Sequence, residues 1–434
     1  MIVSGGINLN MKNFLRKIVL WILGKLAIHR LKKFGGKIVG VTGSIGKTTT
    51  KEAIFCVLNS KFKVKRSEKS MNTDFGLLLT ILDIDSGYAS ATKWAWLLLK
   101  ALFHSFYKET ADILLLEMGV DKPGDMDYLM KIAKPDVAVL TNVAPVHMEE
   151  GQFKTLENIF DEKCKMIDAL KEGGVAILNI DNSFIDGLPK KCKKKKVITY
   201  GRKSEAEFKP EAVSYDLSGL KFHLKHDHHI YEFLIPVLGE YQVYAFLPAI
   251  VCGLLWDMKM EEIIVALERF SLPPGRMSIL PAKNDATILD SSYNSSPEAL
   301  RAALEVLKHV AGDRRKVAVI GNMNELGSDA KMFHEKVGEV VPRFADLLLT
   351  VGANAAALGQ KAVESGMNEK NVFSFKNVSE AIDFFKKHIK KNDVILVKGS
   401  QNNVRLEKFV REFIANPEDA EKLLVRQEKF WLNK

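Results

Sequence analysis

The 434-residue chain is 47% apolar and 27% charged, proportions of a folded globular protein that exclude a disordered or fibrous one. Its length suits two or three domains. With 63 Lys and Arg against 53 Asp and Glu the net charge is +10, which favours anionic partners without choosing among them.

In chain order, FLRKIVLWILGKLAI (14–28) is apolar but interrupted by Arg16, Lys17 and Lys25, too short and too charged to span a membrane. HRLKK follows where a signal peptide would place a small-residue cleavage site. The stretch reads either as a helix packed on the first domain or as a basic amphipathic segment making peripheral membrane contact through residues 12–33. KIVGVT (37–42) reads as a buried strand, and KTTTKEAIFCVLNS (47–60) as a helix with Ala53, Ile54, Val57 and Leu58 on one face. ADILLLEMG (111–119), DVAVLTN (136–142) and GVAILNID (174–181) are continuous apolar strands separated by helices, the pattern of a parallel sheet covered on both faces. KKCKKKK (190–196) reads as a solvated loop. Alternation in YDLSGLKFHL (215–224) predicts an antiparallel hairpin, with HDHH (226–229) as its solvated tip rather than a metal site. LPPGR (272–276) marks a boundary, after which ATILD (286–290), KVAVIG (316–321), DLLLTVG (346–352), NVFSF (371–375) and DVILVKG (393–399) restart the α/β rhythm.

The predicted fold is α/β: a central parallel-sheet ATPase domain with a phosphate loop and an antiparallel hairpin, followed by a Rossmann-like α/β C-terminal domain. The boundaries are 1–35 for the basic helical segment, 36–275 for the central domain and 276–434 for the second. Cys56, Cys164, Cys192 and Cys252 form no CxxC pair, so reduced thiols and a cytoplasmic location are expected. The excess charge lacks an aromatic platform or reader motif, so no nucleic-acid partner is expected.

VTGSIGKTTTKEA (41–53) lies between strand and helix. Gly43 and Gly46 let backbone N–H groups turn around a phosphate, with Ser44, Thr48 and Thr49 lining the same turn. Lys47 brings charge to the outer phosphates, and the Thr48 hydroxyl suits Mg²⁺. The strict pattern GxxxxGK[ST] asks for glycine at position 41, where this chain has valine, with the glycine one residue earlier at Gly40. Glu117, ending an apolar strand at the edge where ligands of α/β sheets bind, is a further Mg²⁺ candidate.

GVTGSIGKTTT resembles the Mur ligases, ATP-dependent amide-bond ligases of cell-wall synthesis. LLLEMGVDKPGDM (114–126), TNVAPVHMEE (141–150), DEKCKMIDALKEGGVAILNID (161–181), PPGRM (273–277), DSSYNSSPEAL (290–300), GNMNELG (321–327) with His334, and KGSQNNVRLEK (398–408) follow in family order. YNxxP, ELG and the EMG strand end are most similar to the MurF branch, which joins D-alanyl-D-alanine to UDP-N-acetylmuramoyl-tripeptide. The resemblance implies that ATP phosphorylates a carboxylate and that an amine displaces the phosphate. It implies a nucleotide-sugar peptide and a dipeptide as substrates, ATP and Mg²⁺ as cofactors, and a monomeric enzyme.

The resemblance also assigns roles. His147 and Lys163 join Glu117 and Thr48 as metal ligands, Lys163 as a carbamate. Arg276 reaches ATP phosphate, Asn294 touches adenine, and Tyr293 packs nearby. Lys47, Lys163, His147 and Arg276 make the catalytic set. Asn72, Glu325, His334, Lys398 and Ser400 face the peptide and amine substrates.

Four features depart from the family. Ser291 stands at a ribose-contacting aspartate, so either Asp290 compensates or nucleotide affinity falls. Asn322 replaces an aspartate, and a proline is lost at Leu77–Leu78. Only about 35 residues precede the phosphate loop, where the branch carries a UDP-binding domain. The alternatives are a sister ligase with another acceptor, of the folylpolyglutamate or poly-amino-acid type, and an inactive nucleotide-binding regulator.

Overall fold

The computed structural model describes residues 9–67, 74–84, 91–144, 152–192, 195–324, 326, 329–400, 404–427 and 431. Contacts divide the chain into two units. The first comprises residues 1–213, 222–233 and 241–270, and the second comprises 214–221, 234–240 and 271–434.

In the first unit α1 (Leu9–Leu31) precedes β1 (Lys37–Thr42) and α2 (Lys47–Leu58). Then come β2 (Val64–Arg66), α3 (Asp74–Leu82), α4 (Ala91–Phe106), β3 (Ile113–Glu117), α5 (Asp125–Ile132) and β4 (Val137–Leu140). α6 (Leu156–Asp168), β5 (Val175–Asn179), the short α7 (Leu188–Lys191) and β6 (Lys196–Tyr200) complete the sheet and its helices. Among the described residues the strands form one six-stranded sheet, order β2-β3-β1-β4-β5-β6, parallel throughout. β1, β3, β4 and β5 are near-continuous Val, Ile and Leu because helices cover both faces. β6 begins at Lys196, so the lysine run ends inside a strand rather than wholly in a loop. Leu77 and Leu78 are buried within α3, where a proline would remove a helical hydrogen bond.

β7 (Pro210–Asp216), β8 (Gly219–His226) and β9 (His229–Ile235) form a three-stranded sheet, and the division between the units runs through it. Asp227 and His228 turn the β8–β9 hairpin with φ of 45° and 65°, the left-handed pair of a tight two-residue turn. Both are exposed, as a hairpin tip requires. α8 (Val243–Leu255) and α9 (Met260–Glu268) return to the first unit, where α8 packs on α2.

The second unit continues with β10 (Ser278–Pro281), β11 (Thr287–Ser291), α10 (Pro297–Ala311), β12 (Lys316–Gly321), α11 (Ala330–Gly338) and β13 (Leu347–Val351). It ends with α12 (Ala353–Glu364), β14 (Val372–Phe375), α13 (Val378–Phe385), β15 (Val394–Lys398), α14 (Glu407–Phe413) and α15 (Ala420–Leu423). The sheet order is β10-β11-β15-β12-β13-β14, with β10 antiparallel at the edge and the rest parallel. This order puts the C-terminal ends of β11, β15 and β12 side by side, and their loops carry the predicted nucleotide and amine-side residues. The architecture is the expected one: a parallel α/β unit with a phosphate loop, an antiparallel hairpin and a second α/β unit.

Candidate active site

In the first unit the chain leaves β1 between β3 and β4, the point where the strand order switches direction and a crevice opens. Val41 is a strand residue in register with Glu117, which explains a β-branched side chain at this position. The turn begins at Gly43, with φ of 148°, where a Cβ would lie 2.0 Å from Thr141 Oγ1. Gly46 caps α2 with φ of 86°, a left-handed position that favours glycine. Ser44 N–H donates to Asn142 O (2.7 Å), and Thr141 Oγ1 donates to Ile45 O (2.7 Å), so the loop is tied to the β4 end. Lys47, Thr48 and Thr49 occupy the first turn of α2, where helix N–H groups and the dipole favour an anion.

The charged groups converge here. Lys47 Nζ donates to Gly43 O (2.8 Å) and Ser44 O (3.1 Å). Lys163, 1% exposed on α6, donates to the same Gly43 O from 3.1 Å. Burial depresses the Lys47 ammonium, while Glu117 and Asp121 favour its charge. Burial, then repulsion from Lys47, pulls Lys163 down to about 7, so a sizeable neutral fraction exists near neutral pH. Thr48 Oγ1 lies 3.2 Å from both oxygens of Glu117, itself 2% exposed. Beside Lys163, Glu162 is buried too and accepts the N–H groups of Gly124 (3.0 Å) and Met126 (2.8 Å), anchoring the start of α5.

Sequence reasoning missed Lys51. It is fully buried one turn after Lys47, with Nζ 2.9 Å from Ser67 O, 3.2 Å from Glu52 and 3.8 Å from Glu117. The spacing Lys47–Lys51 in KTTTK puts both amines on one helix face, a signal available in the sequence. Asn72, His147 and Glu325 lie outside the described residues.

In the second unit the loop after β11 carries Tyr293 and Asn294, with Asp290 at the end of the strand itself. Arg276 stacks its guanidinium 4.5 Å above the Tyr293 ring, and Tyr293 N–H donates to Gly275 O (3.0 Å). Asn294 is exposed and accepts Ser295 N–H through Oδ1 (2.9 Å). Asp290, expected at the nucleotide, has no exposed surface. Its Oδ1 accepts Ser292 N–H (3.0 Å), so it shapes the loop from beneath. Lys398, expected on the amine side, donates to Ser291 Oγ (3.1 Å) and Asn294 O (2.9 Å). Burial pulls Lys398 down to about 8, opposed by Asp290. Ser400 Oγ donates to Ser295 O and accepts Asn324 N–H, both at 3.0 Å, bridging the loops after β11 and β12.

His334 spends both ring nitrogens on backbone. Nε2 accepts Met323 N–H (2.9 Å), and Nδ1 lies 2.7 Å from Ala330 O. It holds the loop after β12 and touches it from within. Asn322 Oδ1 accepts Ala355 N–H (2.9 Å), capping α12, a local task that an amide oxygen performs as well as a carboxylate. A second cluster also escaped sequence reading. Buried Glu407 pairs with Arg405 and with Arg426 (3.0 Å), and Arg426 donates onward to Tyr293 O (2.8 Å).

Asp290 gives a pH prediction. Burial pushes its carboxyl from an ordinary 3.8 up to about 6, with the hydrogen bond from Ser292 N–H opposing. The folded state therefore keeps a proton that the unfolded chain gives up. The associated stability is full below about pH 4 and is lost as pH rises through about 6, up to about 3 kcal/mol in all. Denaturant titrations of Asp290→Asn across this window are expected to lack that decline; a slope matching wild type would refute it.

Fold and site together define a phosphate-loop α/β protein with a buried lysine and carboxylate cluster at the loop and a second α/β unit of Rossmann type. The Mur ligase middle domain matches residues 41–253 and the Mur ligase glutamate ligase domain matches residues 275–401. The chain belongs to the Mur ligase family. The UDP-N-acetylmuramoyl-tripeptide–D-alanyl-D-alanine ligase of Bacillus subtilis (strain 168) is 29% identical over 399 residues, covering 92% of this chain and 80% of its own length. The MurF ligase of Thermotoga maritima, solved in complex with ADP, is 28% identical with a TM-score of 0.71, covering 93% of this chain and 84% of its own. A MurF structure from Acinetobacter baumannii shares the fold, with a TM-score of 0.76 at 23% identity over 90% of this chain and 79% of its own.

Proposed function

We propose that this chain is an ATP-dependent amide ligase of the MurF type, joining D-alanyl-D-alanine to a UDP-N-acetylmuramoyl-tripeptide-like acceptor. The reading is carried by one observation: half-buried Lys47 and buried Lys163 meet at the Gly43 carbonyl, beside the Thr48–Glu117 pair and the first turn of α2. The similarity to ligases of this name over nine-tenths of the chain supports the substrate class. In this reading residues 36–275 bind ATP, residues 276–434 form the second ligase domain and residues 1–35 a leading basic segment.

An acceptor carboxylate oxygen attacks the γ-phosphorus of ATP, and the bond to the ADP oxygen breaks. The amine of the dipeptide then attacks the acyl carbon, phosphate leaves, and the amine gives up a proton. Both steps crowd negative charge at one place, which Lys47 and the α2 N-terminus offset. Mg²⁺ fits the donors present: a hydroxyl and a carboxylate, both hard oxygens, leave room for the waters and phosphates this ion keeps. Thr48 and Glu117 would hold it, and it would neutralise phosphate charge. His147 and Lys163 are the further ligands proposed. The neutral Lys163 amine is the form that adds to CO₂, releasing a proton and leaving a carbamate. Arg276 and Asn294 are proposed to meet the nucleotide, with Asp290 and Lys398 shaping the loop that holds Asn294.

The test is an ADP-release assay over a panel of carboxylate acceptors and amines, each run with and without bicarbonate. Turnover is expected only with UDP-N-acetylmuramoyl-tripeptide and D-alanyl-D-alanine together, rising with bicarbonate. Turnover with a folate and glutamate pair, or nucleotide binding without turnover on any pair, would overturn the reading.

A further inference from the structure

The whole net charge of the chain lies at its start. Before Glu52 there are ten Lys and Arg and no acidic residue, so the remaining 53 cations and 53 acids balance. A second stretch without acids, residues 86–108, contains α4. The two acid-free helices, α1 and α4, touch each other and bury one face each in the same core. Leu23 and Ala27 do so on α1, and Leu97 and Ala101 on α4. At their C-terminal ends Lys33 Nζ lies 5.4 Å above the Phe106 ring.

Their outer faces are not polar. On α4 the outward positions are Trp96 (63% exposed), Leu99, Phe103 (64%) and Phe106, spaced three and four apart as one helical stripe. On α1 Ile18 and Trp21 are exposed, with Lys17, Lys25 and Lys32 around them. An ordinary surface helix is apolar on one face only; α4 is apolar on both. Large exposed aromatics in one patch mark an interaction site. Among the described residues no helix is long and apolar enough to cross a membrane, so a lipid partner would be met from the side.

From this we propose that the outer faces of α1 and α4 together form a docking surface for an anionic lipid bilayer. The Trp96, Leu99, Phe103, Phe106 and Trp21 side chains enter the headgroup region, and the acid-free lysine rim meets lipid phosphates. Charge complementarity chooses this occupant: exposed lysines and aromatic side chains on two helices that carry no acidic residue match a negatively charged interface, which attracts each nearby lysine. The inference does not depend on which carboxylate or amine the enzyme uses.

The full chain is mixed with vesicles of phosphatidylcholine, with and without phosphatidylglycerol, and sedimented. Binding is expected only with phosphatidylglycerol, weakening with salt, and Trp fluorescence is expected to shift to the blue. Trp96→Ser with Phe103→Ser should lower vesicle affinity by about tenfold or more, and Lys25→Glu with Lys32→Glu by a similar factor. Trp21→Ser alone, on the other helix, should lower it less and serves if the α4 pair fails to fold. Equal binding to both vesicle types, or none, would overturn the proposal. So would a wild-type dimer that the α4 pair converts to monomer, which would make the face a contact between copies.

Discussion

Lys47→Ala is expected to lower the rate of ADP release by roughly 10³-fold, about the loss seen when one preorganised charge-stabilising group is removed from a reaction centre. In the protein as described its ammonium rests on two loop carbonyls, Gly43 O and Ser44 O. Those neutral carbonyls are weaker partners for a half-buried cation than phosphate oxygens are. A triphosphate offers stronger ones, so the amine is poised to exchange them. The substitution removes the exchange and leaves the loop geometry, which Gly43 and the Ser44–Asn142 hydrogen bond hold without Lys47. Stability should therefore change by only about 1 kcal/mol, the net worth of a lost hydrogen bond or two. Paired measurements of turnover and thermal unfolding separate the effects. Turnover within about threefold of wild type would remove Lys47 from the chemistry.

Glu407→Ala is expected to have the largest effect on stability, about 3–5 kcal/mol, read from denaturant midpoints. Glu407 is 1% exposed and is the shared counter-ion of Arg405 and Arg426. Without it two buried guanidiniums face each other, and the cost is that of stranding charge rather than of losing attraction. Arg426 also holds the carbonyl of Tyr293, whose ring lies beneath Arg276. Nucleotide affinity should fall together with stability. Adding Arg405→Met to Glu407→Ala should recover part of the loss, because one stranded cation is gone. A cost below about 1 kcal/mol, the level of an exposed pair, would refute the burial argument.

Much of this fold was legible because parallel strands buried on both faces are spelled as short apolar runs rich in Val, Ile and Leu, as in β1, β3, β4, β5, β12, β13 and β15. β2, β6 and β10 were not, and β2 is only the three residues Val64–Arg66, two of them charged. β6 is preceded by a lysine run that outweighs its short apolar stretch, and β10 carries Pro281 at an edge where no ladder donor is needed. The phosphate loop was legible for a local reason: a strand, two glycines with positive φ, a lysine and a helix start are all contained in a dozen residues.

Burial and partnership across the chain were not legible. Lys163 reads as a helix-surface lysine beside Glu162, yet both are buried because α6 lies against the loop and the start of α5. Asp290 and Lys398, 108 positions apart in sequence, become neighbours only because β15 is inserted beside β11. Glu407 meets Arg426 through the C-terminal turn, with no pattern in between to announce it.

The amino-acid order alone spelled out most of the strands and the glycine turn with its lysine and threonines, since each of those depends on neighbours a few residues away. Which of those side chains face a ligand, and which hold the loops that do, depends on strand order and burial. Those arise from long-range packing, and so does the pairing of α1 with α4 on one core.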